Sequence, residues 1–85
     1  MPIVNVGDMI PEIAETENHG RALIWWKDRG IEHAGFVQDG KVVATWTGFI
    51  REDTKKYLYE LRSAMGAGGG VYKLEDSRGY RIVEV

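Results

Sequence analysis

With 85 residues, the chain has room for one domain and only a small core. Its 44% hydrophobic and 28% charged content is that of a globular protein, and the lack of cysteine excludes disulfide staples and thiolate metal sites. A net charge of −2 excludes the marked basic excess expected of a duplex-binding protein.

The charge is uneven. Residues 1–20 hold Asp8, Glu12, Glu15 and Glu17 and no Lys or Arg, so the remaining 65 residues carry 11 basic against 9 acidic groups. No apolar run approaches the roughly 20 residues of a membrane helix. The start, Met1-Pro2-Ile3-Val4-Asn5-Val6, lacks the basic stretch of a secretory leader. The expectation is a cytoplasmic protein without a membrane span.

In chain order, residues 2–6 read as a short strand. Asp8 is placed to cap a helical turn over Met9–Ala14, with Pro11 in the first turn where its missing N–H is harmless. Residues 15–20 are polar and read as a loop. Three β-rich runs follow, Ala22–Lys27, Ile31–Gln38 and Lys41–Phe49. Asp39-Gly40 predicts a two-residue type I′ turn. Counting outward pairs Gln38 with Lys41, Val37 with Val42, Phe36 with Val43, Gly35 with Ala44 and His33 with Trp46. Asp28-Arg29-Gly30 fits a three-residue loop, which pairs Trp26 with Glu32, Trp25 with His33 and Leu23 with Gly35.

Alternation then sorts two faces. One collects Leu23, Trp25, Ile31, His33, Val37, Val42, Ala44 and Trp46 and is the expected core. The other collects Ile24, Trp26, Glu32, Ala34, Phe36, Val43, Thr45 and Thr47 and is expected to be half exposed.

Residues 52–65 form the one strong helix. Asp53 is its N-cap; Tyr57, Leu58, Leu61, Ala64 and Met65 make an apolar stripe; Lys55, Lys56, Tyr59, Glu60, Arg62 and Ser63 lie opposite. Gly66-Ala67-Gly68-Gly69-Gly70 ends it. Val71–Asp76 and Tyr80–Val85 form a last hairpin around Ser77-Arg78-Gly79. The fold class is α+β: a mainly antiparallel sheet of about five strands packed on one amphipathic helix, a single domain over 1–85.

Catalytic signatures are weak. His33 falls between Trp25 and Trp46 in the expected register, while its neighbour Glu32 points to the other face and cannot orient it. His19 stands beside Glu17 without metal-ligand spacing. Ser63 and Ser77 sit in no nucleophile motif. The glycine run follows a helix and precedes a strand, the reverse of a phosphate loop. No catalytic residue, metal or cofactor is expected.

The aromatic residues say more. Trp25 and Trp26 must point to opposite faces of one strand, so one core cannot hold both. Unless Ile10, Ile13 and Ala14 fold across it, Trp26 is exposed with Ile24 and Phe36, and exposed apolar patches mark binding surfaces. The expected function is therefore a non-enzymatic protein-interaction module, an inhibitor or adaptor that occludes a larger partner through an aromatic sheet surface. Its contact residues would be Trp26, Ile24, Phe36, Glu32 and Tyr59. A homodimer through a strand edge or the Trp26 patch fits as well. The alternative is single-stranded nucleic-acid binding, with bases stacked on the sheet and Lys27, Arg29, Lys41, Lys55 and Lys56 tracking phosphates.

Overall fold

The computed structural model describes residues 4–14, 20–48, 53–66, 70–75 and 82–85. The elements are α1 (Pro11–Ala14), β1 (Ala22–Asp28), β2 (Ile31–Gln38), β3 (Lys41–Thr47), α2 (Thr54–Ala64), β4 (Val71–Leu74) and β5 (Ile82–Glu84). The strands form one sheet in the order β3-β2-β1-β4-β5. Every neighbouring pair is antiparallel except β1 with β4, which is parallel. The fold is thus the expected α+β globule, with a mixed sheet. Because β3 runs parallel to β4, the chain needs a crossover between them, and α2 supplies it.

Asp39 and Gly40 both have positive φ, 54° and 77°, as a type I′ turn requires. The first hairpin corrects the expectation. Arg29 and Gly30 also both have positive φ, 53° and 79°, and Asp28 pairs with Ile31. The loop has two residues, not three, because Asp28 belongs to β1. Its register is therefore one residue off the expected one: Trp26 faces His33, Trp25 faces Ala34 and Leu23 faces Phe36. In the second hairpin, a bulge between Phe36 and Val37 sets Phe36 against Ala44 and Ala34 against Trp46.

The N-terminal segment is not a strand over 4–7. The Asn5 N–H donates to the Asp8 carboxylate at 2.9 Å, and the Asp8 N–H returns a bond to the Asn5 carbonyl at 3.0 Å. Asp8 thus closes a turn with its side chain. Met9 bridges to Lys41, and the Ile10 N–H donates to the Gly40 carbonyl at 2.6 Å, which pins the segment to the start of β3. The expected strand residues 2–3, the loop 15–19, Phe49, Glu52, Ala67–Gly69 and the last hairpin turn lie outside the described residues, as does the side chain of Ala14.

Each face of the sheet carries its own apolar cluster. On one face Ala22, Ile24, Trp26, Val37 and Val42 are buried beneath Val4, Ile10 and Ile13. On the other, Leu23, Ala34 and Val71 are buried with Leu58 of α2, and Trp25, Trp46, Leu61 and Met65 pack around them. The sheet is a middle layer between a helix and the N-terminal segment. Both faces are core, which corrects the assignment of one as half exposed.

Candidate interaction surface

The Trp26 patch proposed from the sequence is absent from the surface. Trp26 is 1% exposed and Ile24 is fully buried, both under the N-terminal segment. Val4, Ile10 and Ile13 supply enough apolar area to cover the β1 centre, so burial wins over display. Neither residue can meet a partner without opening the fold.

Phe36, Glu32 and Tyr59 lie on the opposite, helix-bearing side. Glu32 is occupied internally: the Thr54 hydroxyl donates to its carboxylate at 3.2 and 3.3 Å, and the Lys27 ammonium sits 3.8 Å away. It ties the start of α2 to β1 and β2. Tyr59 does not project from the solvent side of the helix as expected. It packs on the second cluster and its hydroxyl donates to the Val85 carbonyl at 2.8 Å, with the Arg62 guanidinium 5.9 Å from its ring centre.

Phe36 is different. The main contacts of α2 are with β1 and β4. The helix meets the β2–β3 side more sparingly, through the Thr54–Glu32 bond and the packing of Trp46 on the second cluster. There Phe36, Ala44 and Trp46 are half-buried, neighbours across the two strands by the Phe36–Ala44 and Ala34–Trp46 pairs. Met9 and Val43, 54% and 43% exposed, stand at the adjoining edge. This flank holds two aromatic rings on a rigid sheet, beside the exposed Lys41.

Trp25 shares that face and is also half-buried, with the Lys73 ammonium 4.9 Å from its ring centre and the second cluster beside it. The sequence reading missed this flank because it placed Trp46 in a sealed core and Phe36 beside Trp26.

Of the described basic residues named from the sequence, Lys27, Arg29, Lys55 and Lys56 stand at the Glu32 end of the sheet and Lys41 at the other. Lys27 is engaged by Glu32, Arg29 sits in the first turn, Lys41 lies at the second turn, and Lys55 and Lys56 follow Asp53 at the start of α2. A phosphate-tracking strip needs several free cations in a row.

The face under the N-terminal segment carries an open groove of about 480 Å³ where the cover ends. His33, Thr45, Thr47 and Ile31 line it with Val4 and Asn5. The His33 ring lies flat on Trp26, with centroids 5.4 Å apart and planes within 4°. This corrects the expected position between Trp25 and Trp46 and follows from the shifted register. Stacking gives the ring a structural partner, and the Asp28 carboxylate, in the same groove, interacts with it electrostatically. Among the described residues, no group of three His, Cys, Asp or Glu side chains is placed to hold a metal ion, and no helix is long and apolar enough to cross a membrane.

Comparison with known proteins finds no matching family model, no matching curated protein and no matching solved structure, so the reading of this chain rests on its own geometry.

Proposed function

We propose that the chain is a protein-interaction module that works by binding rather than by catalysis, with the half-buried aromatic flank of β2 and β3 as its contact surface. One observation carries this. α2 packs mainly over β1 and β4, while Phe36 and Trp46 on the β2–β3 side stay half-buried, Trp46 packed against the second cluster. Aromatic residues held rigidly at a surface lose little entropy on binding and dominate interface energetics. A compact domain with such a surface acts as an inhibitor or adaptor by occlusion. Of the contact residues named from the sequence, Phe36 keeps that role, and Trp46 joins it.

The test is comparative capture from the native host. A protein retained by the wild type should be lost with Phe36→Ser and kept with Lys56→Ala, which alters an exposed site on α2. A replacement at a central contact residue typically weakens binding by about 2 kcal/mol, or roughly thirtyfold. Capture that is indifferent to Phe36→Ser counts against the flank. Single-stranded nucleic-acid binding is the secondary reading, and tryptophan fluorescence against mixed oligonucleotides at low salt tests it directly.

A further inference from the structure

We infer that the outer edge of β3 pairs with the same edge of a second copy of this chain, antiparallel across a two-fold axis at Trp46.

The inference starts from the backbone. The Gly48 N–H donates to the Glu32 carbonyl at 3.0 Å, and this bond flanks the His33–Thr47 pair. That pair is therefore of the non-hydrogen-bonded kind, and the N–H and C=O of Thr47 point away from β2. By alternation those of Thr45, opposite Gly35, point away as well. β3 is the end strand of the sheet. At its start the outward groups of Val42 are consumed, the N–H by the Asp8 carbonyl at 2.9 Å and the C=O by the Gly7 N–H at 2.8 Å. Among the described residues, no backbone partner is seen for Thr45 or Thr47.

Natural sheets guard free edges with Lys, Pro, buried charge, bulges or a covering segment, and here the bulge and the N-terminal segment occupy the start of β3. From Ala44 to Thr47 this chain places no charge and no proline, only Ala, Thr and Trp. Such an edge is built to be paired. The second copy is the occupant that this row fits without further assumption, because an antiparallel edge is complementary to itself under two-fold rotation. Centring the axis on Trp46 brings Thr45 of one copy opposite Thr47 of the other, twice, and uses all four outward N–H groups and carbonyls of the two pairs. It also sets Trp46 directly across from Trp46 of the second copy on the half-open face, where cross-strand aromatic pairs add stability. Net charge of −2 per copy offers little repulsion.

This pairing rests on the β3 backbone and shares Trp46 with the proposed flank, so each is tested by its own experiment. Sedimentation tests it on the full chain, from about 1 μM to about 1 mM, the range in which short interfaces associate. The wild type is expected to show a concentration-dependent dimer. Thr45→Pro deletes an outward N–H at an edge position that tolerates proline, and is expected to raise the dimer dissociation constant about tenfold or more. Because the chain has no cysteine, Trp46→Cys puts a lone thiol on the axis, and it should form a disulfide dimer under mild oxidation faster than Ser63→Cys on α2. A wild type that stays monomeric throughout overturns the inference, and so does a dimer that Thr45→Pro leaves intact. Either result leaves the capture experiment on Phe36 to be judged separately.

Discussion

Trp26 and Trp25 show how far two adjacent residues can be read from sequence. That they point to opposite faces follows from the pleat alone and holds. Which one ends buried depends on the N-terminal segment, and the sequence left open whether Ile10, Ile13 and Ala14 would fold across Trp26. The contact role expected of Trp26 required that cover to be absent. The structure reverses the expected outcome: Trp26 is the largest fully buried side chain, and Trp26→Ala should destabilise the fold by about 3–5 kcal/mol in urea unfolding. A loss under 1 kcal/mol would mean that the first cluster does not depend on it. Gly35 makes a second case. A Cβ there would stand 3.1 Å from the buried Ile24 side chain and 3.3 Å from the Ala44 carbonyl. Gly35→Ala should cost about 1–3 kcal/mol by overpacking, although alanine usually suits a strand better than glycine. An unchanged urea midpoint would show that Ile24 can give way.

Among the elements, α2 was the most legible. The Asp53 carboxylate accepts from the Lys56 N–H at 3.0 Å, as its position ahead of the apolar stripe implies. Asp53→Ala should therefore remove about 1 kcal/mol, measured as a lower urea midpoint with the helical circular dichroism retained below it. No shift in midpoint would mean the exposed first turn is capped by water instead. The strands were located well and registered poorly. Asp39-Gly40 announces its turn, whereas Arg29 is an unusual residue for positive φ and drew Asp28 into the loop by error. The bulge between Phe36 and Val37 has no local signature, and it moves Trp46 beside Ala34. The parallel β1–β4 pairing joins residues some fifty positions apart, beyond any local pattern. The candidate flank depends on the bulge and on where α2 lands over that pairing, which is why Phe36 was named from sequence and its neighbour Trp46 was not.

For the whole molecule, two cores share one sheet. Ala22, Ile24 and Trp26 of β1 point into the first cluster, while Leu23 and Trp25 of the same strand point into the second. A loss on either side loosens the strand that anchors the other. Ile10→Ala in the N-terminal segment and Leu58→Ala in α2 remove side chains that are fully buried on opposite faces. Each should cost about 2–5 kcal/mol. Despite acting on different layers, each should lower a single shared transition, as small domains unfold all at once. Amide signals from Ile13 and from Leu61, followed by nuclear magnetic resonance through a urea series, read the two layers separately. Coincident loss in the wild type and in both variants is the expected result. If Ile10→Ala released the Ile13 signal at lower urea while Leu61 held, the N-terminal segment would be a detachable cover. Trp26 would then become available on opening, and the closed first core argued from its burial would give way to a hinged one.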